Sequence, residues 1–167
     1  ITMKISIITV SYNSSKTIED TFNSILNQSY NNIEYIIIDG NSKDKTLEII
    51  GEYESKFIDK KIEFKWISEK DNGLYDAMNK GIKMATGDIV GIINSDDVYN
   101  QNNILEKVVN EFQKTNVLGV YGDLVYVEEN NLDKITRYWK SGKYNNKCFL
   151  FGWMPPHPSF FVKREVY

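Results

Sequence analysis

Three observations predict an α/β fold with a doubly wound, mostly parallel central sheet and helices on both faces. β-branched apolar runs alternate with stretches of helical periodicity. The runs are almost continuously apolar, as in strands buried on both faces. Turn residues separate each run from the next stretch. Strand and helix in strict alternation imply βαβ units.

Residues 4–10 (KISIITV) form the first strand. Residues 11–15 (SYNSS) break it, and Ile18, Phe22, Ile25 and Leu26 then recur at helical spacing, with Ser14 or Ser15 as N-cap. Residues 33–38 (IEYIII) make a second strand, closed by a turn at 39–42. A helix from 44 to about 56 turns Leu47, Ile50 and Tyr53 inward, and a short strand follows at 64–67. After Asp71-Asn72-Gly73 a helix runs over 75–85, with Met78, Ile82 and Ala85 on one face and Gly87 as its terminator. Residues 89–93 (IVGII) are a fourth strand, followed by Asn94-Ser95-Asp96-Asp97. Beyond it, 104–114 reads as a helix, 117–121 and 124–128 as strands around Gly122-Asp123, and 135–139 as another. Two further apolar stretches, 148–151 and 160–162, flank a segment containing three prolines.

A chain of 167 residues suits one domain. Apolar content of 41% and charged content of 26% exclude disorder. The net charge of −3 gives no domain-wide basic footprint for nucleic acid. Cys148, the lone cysteine, rules out an internal disulfide framework and fits a reducing, cytoplasmic compartment. No apolar run reaches the length of a membrane helix, and Met3 is a plausible native start behind two added residues, Ile1 and Thr2.

Open α/β sheets bind ligands outside the carboxyl ends of their strands. Asp39, Asp71, and the pair Asp96 and Asp97 each follow one of the predicted strands. One such aspartate is ordinarily a turn former or cap. Several at one sheet edge repel one another unless a cation neutralises them, and oxygen ligands favour Mg²⁺ or Mn²⁺ shared with a phosphate. Neither GxxxxGK[ST] nor GxGxxG is present. A metal bridging carboxylates to a diphosphate is therefore the best way to hold a nucleotide here.

Four segments, in order and correctly spaced, resemble family 2 glycosyltransferases of the GT-A fold. They are 7–13 (IITVSYN), 38–46 (IDGNSKDKT), 69–81 (EKDNGLYDAMNKG) and 94–97 (NSDD). Residues 121–123 (YGD) and 157–161 (HPSFF) resemble a branch that builds bacterial surface polysaccharides. The resemblance implies an inverting hexosyltransferase that uses a UDP-sugar and Mn²⁺ or Mg²⁺. Its acceptor is a glycan or lipid-linked glycan, with peripheral association at the inner face of the membrane. It implies a nucleotide pocket of Thr9, Val10, Ser11, Tyr12, Asp39, Lys70, Asp71 and Asp96, with Asp39 accepting from the base. Asp97 is the implied metal ligand. The family's acidic triplet reads Asn94-Ser95-Asp96 here, so its first acid is an amide. For Asp76, Asn79 and Lys80 the choice lies between a solvated helix face and contact with donor sugar or diphosphate. His157 is either structural or a metal or diphosphate contact, in a loop where Trp153 and Met154 suit an acceptor platform. Asp123 is either a turn acid or an acceptor-side residue. The resemblance implies a single domain truncated at its C-terminus, with 1–100 as the nucleotide-sugar-binding half and 101–167 as the start of the acceptor-binding half; the family's base lies downstream of the 157–167 stretch, past Tyr167, so no base is assigned.

Three other readings compete. A sugar-nucleotide pyrophosphorylase would need a basic glycine-rich loop where SYNSS stands. A non-catalytic nucleotide-sugar-binding module would bind but not transfer. A phospho-receiver domain would be shorter and lack the pattern from Asp39 to Asn79.

Overall fold

Every residue of β1 (Ile5–Ser11), β2 (Ile33–Asp39) and β4 (Ile89–Ile92) is buried. The continuous apolar runs leave no face for water, so helices must cover both sides. The computed structural model describes residues 2–128 and 131–167. Ile1, read as preceding the native start, lies outside them. β3 (Glu63–Ser68) completes the parallel half of the sheet, and α1 (Ile18–Leu26), α2 (Thr46–Asp59) and α3 (Leu74–Met84) make the crossovers. Then follow α4 (Ile104–Lys114), β5 (Gly119–Tyr121), β6 (Leu124–Glu128), β7 (Asn131–Trp139) and β8 (Phe160–Lys163).

The main sheet runs β3-β2-β1-β4-β8-β5. β1 lies parallel to both β2 and β4, and β3 parallel to β2. β8 enters antiparallel between β4 and β5. The sheet is thus mostly parallel, as predicted, with one reversed strand. β6 and β7 form a separate two-stranded sheet.

Alternation along the strands sorts the core into two layers. Ile5, Ile7, Tyr35 and Ile37 pack against Phe22 of α1, Phe57 of α2 and Val109 of α4. Ile8, Val10, Ile36 and Ile38 pack against Ala77 and Met78 of α3. Each large apolar side chain so buried contributes about 1.5–3 kcal/mol.

Two local expectations are corrected. Neither Ser14 nor Ser15 caps α1; Thr17 holds that position without a side-chain bond. The Ser14 hydroxyl instead meets Ser95 Oγ at 2.7 Å, tying the loop after β1 to the loop after β4. Nor is Gly87 a left-handed helix terminator. α3 ends at Met84, with Ala85 already extended. A Cβ on Gly87 would lie 2.7 Å from Ser6 N and 2.8 Å from Lys4 O, so this glycine permits close approach to β1.

Candidate active site

The order β2-β1-β4 makes the chain reverse direction across the sheet between β1 and β4. That is where an α/β sheet opens a crevice at its carboxyl edge. A cleft of about 980 Å³ lies there, lined by 10–17, Asp44, Asp71, Gly73, Leu74, Ala77 and 94–96. Val10, Ser11, Tyr12, Asp71 and Asp96 are therefore together, as the sequence reading requires. Tyr12 is 64% exposed, leaving a free ring face in the cleft. Asp71 Oδ1 accepts from Gly73 N at 3.1 Å, which fixes the turn into α3.

Thr9 and Asp39 lie beneath the cleft rather than on its wall. Thr9 is fully buried, and its hydroxyl accepts from Tyr35 Oη at 2.9 Å, so it presents no group to the cleft. Asp39 is fully buried and takes four bonds. Its Oδ1 accepts from Ser11 Oγ at 3.1 Å and Ser42 Oγ at 2.5 Å. Its Oδ2 accepts from Ser42 N at 2.9 Å and Ser68 Oγ at 2.7 Å. The carboxylate thus binds together the ends of β1, β2 and β3. A contact to a base would be added to these bonds or exchanged for one of them. Asp39→Ala orphans these buried donors and is expected to lower stability by about 2–4 kcal/mol, read as a fall in Tm. In the folded variant UDP should bind more weakly while pyrophosphate binds as before. Unchanged UDP affinity would make Asp39 solely structural.

The turn after β4 places the other acids. Asp97 N donates to Asn94 O at 3.2 Å, and Asn94 Nδ2 donates to Asp97 Oδ2 at 2.8 Å. Thr21 Oγ1 of α1 holds the Asp97 carbonyl at 2.9 Å. Among the described residues, no donor reaches Asp97 Oδ1. Burial raises the Asp97 pKa, and the Asp96 charge adds to this against the Asn94 bond. His157 follows Pro156 in a short 3₁₀ turn packed against β4. Desolvation lowers the His157 pKa, against the Asp97 charge, which raises it. These features fit a hard divalent cation: adjacent acids, one of them partly buried with a free oxygen, beside an imidazole. No group of three or more metal-ligating side chains occurs among the described residues, so phosphate and water would complete the shell.

The outer residues are differently disposed. Asp76 Oδ2 accepts from Asn72 N at 3.0 Å, and that amide is the main cause of its lowered pKa. Lys80 pairs with Glu69 at 2.9 Å and Asp76 at 3.5 Å. Asn79 and Lys70 are exposed and do not line the cleft. Asp123 Oδ1 accepts from Ser141 N at 2.8 Å, a turn-stabilising role.

A family model described as glycosyl transferase family 2 matches residues 6–167. The chain belongs to this family. It is 38% identical over 100 residues to the putative teichuronic acid biosynthesis glycosyltransferase TuaG of Bacillus subtilis, covering 60% of this chain and 38% of that one. It is 31% identical over 128 residues to the Escherichia coli UDP-Glc:alpha-D-GlcNAc-diphosphoundecaprenol beta-1,3-glucosyltransferase WfgD, covering 77% and 48%. Among solved structures, S. aureus TarS 1-349 in complex with UDP-GlcNAc superposes with a TM-score of 0.74 at 20% identity, covering 98% of this chain and 46% of that one. The mannosyltransferase PcManGT from Pyrobaculum calidifontis, in complex with GDP-Man and Mn²⁺, gives 0.74 at 18%, covering 99% and 46%. These two likenesses establish the GT-A fold. The chain spans about half the length of WfgD, and less of TuaG.

For this family 2 chain, sequence reasoning missed part of the cleft wall. Lys16 lines the cleft and has no acidic partner among the described residues. Asp44 also lines it, and accepts from Ser15 N at 3.1 Å and Thr46 N at 3.0 Å. Both follow from the switch-point rule. The loop after β1 reads locally as a cap, but its place next to β4 makes it a wall.

Proposed function

We propose that the chain is the donor-binding part of an inverting, metal-dependent hexosyltransferase acting in bacterial polysaccharide biosynthesis. The donor is a UDP-sugar and the acceptor a glycan or lipid-linked glycan. The observation that carries this reading is Asp96 on the wall of the switch-point cleft, with Asp97 next to it in the same turn and no donor on Asp97 Oδ1 among the described residues. Residues 1–100 serve the donor, and 101–167 begin the acceptor side. We place the protein in the cytoplasm, at the inner face of the membrane.

Tyr12 stacks on the base, with Val10, Ser11 and Asp71 around it and Asp39 anchoring the floor, while Lys70 stays outside the cleft wall. Asp96 faces ribose and sugar. Asp97 would hold Mn²⁺ or Mg²⁺, and His157 would contact the metal or the diphosphate. The ion supplies stabilisation of charge growing on the leaving diphosphate. Lys16 adds a positive charge to the same wall. Asp76, Asn79 and Lys80 approach the donor sugar only if the pairing of Lys80 with Glu69 and Asp76 opens. In the reaction the acceptor oxygen attacks the anomeric carbon on the face opposite the diphosphate. The bond from that carbon to the diphosphate oxygen breaks, its electron pair leaving with UDP. The acceptor proton passes to a general base. Asp123 is not assigned that role, because its carboxylate holds the Ser141 turn.

Calorimetric titration of UDP and GDP, each with Mn²⁺ and with EDTA, tests the reading. Metal-dependent binding of UDP alone is expected. Equal affinities in Mn²⁺ and EDTA would overturn the metal assignment, and preference for GDP would overturn the donor.

A further inference from the structure

From Lys134 to Arg164 the chain contains no Asp or Glu, although the whole molecule carries a charge of −3. This acid-free stretch includes most of β7 and the loop beyond it. Lys140, Lys143 and Lys147 are exposed there, and none has an acidic partner among the described residues. Apolar groups accompany them: Tyr138 is 66% exposed, Phe149 52% and Leu150 82%. Exposed side chains of this size, grouped with unpaired cations, mark an interaction surface.

The β6–β7 hairpin has the form of an unfinished element. Among the described residues it is hydrogen-bonded to no other strand, and every residue of β7 is exposed. A free two-stranded ribbon is marginal in water. The loop after it is nonetheless held in place. Tyr144 and Phe149 pack on Trp153 at 6.1 and 5.5 Å between ring centroids, and Trp153 Nε1 donates to Ser141 O at 2.7 Å. The cations and the apolar tips therefore project from a fixed base.

We propose that this face, the hairpin with its following loop, docks on an anionic lipid bilayer. Bases attract the negative leaflet, and aromatic rings with leucine settle at the headgroup level. No helix among the described residues is long and apolar enough to cross a membrane, so attachment through this face is peripheral. A second copy would oppose the same cations to one another. A soluble polyanion would satisfy the bases but leave Phe149 and Leu150 in water. The inference deepens the reading above by naming the surface that brings the donor cleft to a lipid-linked acceptor.

Co-sedimentation with phosphatidylcholine vesicles, with and without phosphatidylglycerol, decides it. Binding is expected only with phosphatidylglycerol, weakening at high salt. Combining Lys140→Glu, Lys143→Glu and Lys147→Glu should lower vesicle affinity on the order of a hundredfold, with Tm and UDP affinity unchanged. Phe149→Ser with Leu150→Ser should weaken binding even at low salt. Absence of binding to anionic vesicles, or binding indifferent to both sets of changes, overturns the proposal. So does retention on a soluble polyanion without vesicle binding, or a dimer that the charge reversal dissociates. UDP titration of the same samples reports separately on the donor site, so failure of either reading leaves the other measurable.

Discussion

Asp97→Ala is expected to make UDP bind no more tightly in Mn²⁺ than in EDTA. The reason lies in how the side chain is held. Asn94 Nδ2 occupies Oδ2 at 2.8 Å, while Oδ1 has no donor among the described residues. Burial makes the charged form costly, and Asp96 adds to the cost. A divalent ion beside Oδ1 removes both penalties. Asn94→Ala should act through Asp97, lowering metal affinity by about ten- to a hundredfold as the loss of a ligand-orienting bond does. Its UDP affinity in EDTA should stay at the parent value. Asn94→Asp puts an acid at the position where the resemblance implies one and sets two carboxylates at hydrogen-bond distance. Without metal one of them must hold a proton. Manganese titrations followed by electron paramagnetic resonance read the ion directly. Parent-like manganese affinity in Asp97→Ala would remove Asp97 from the metal site.

The parallel half of the sheet was legible because it is written locally. Residues 5–11, 33–39 and 89–92 each carry enough β-branched residues to identify a buried strand without knowledge of their neighbours. The switch-point rule then located the cleft. The antiparallel insertion of β8 between β4 and β5 was not legible, because it pairs segments some seventy residues apart. A hint stood in the middle of β4. Gly91 weakens a strand, and here it is required: a Cβ would lie 2.5 Å from Phe161 Cε1. The site divides the same way. Position after a strand singled out Asp71 and Asp96, which line the cleft, and Asp97, which follows Asp96 outside the lining. Asp39 was singled out the same way, but its burial under Ser11, Ser42 and Ser68 depends on three loops meeting. Lys80 looked free in sequence and is paired in space with Glu69, a partner outside its own helix.

At the opposite edge of the sheet, Glu34→Ala is expected to cost about 3 kcal/mol at neutral pH. The Glu34 side chain is fully buried yet ionised. Oε1 meets Lys65 Nζ at 2.7 Å and Thr86 Oγ1 at 2.9 Å; Oε2 meets Ser6 Oγ at 2.5 Å and Thr86 N at 2.8 Å. Burial alone would raise its pKa. The bonds from Lys65, Ser6 and Thr86 outweigh it and hold the group at about 2, against an ordinary 4.5. That difference is worth about 3 kcal/mol. Breaking a buried pair by removing one partner costs about 3–5 kcal/mol, and the partial exposure of Lys65 favours the lower end. For a chain this size Tm should fall by roughly 10 °C. The sign with pH follows from the lowered value. The contribution is complete above pH 4.5 and is lost as pH falls toward 2, so the gap between parent and variant should close in acid. Urea unfolding at pH 7 and pH 3 measures both. A gap that stays constant with pH would mean that the cost is one of packing, with the carboxylate's charge contributing nothing.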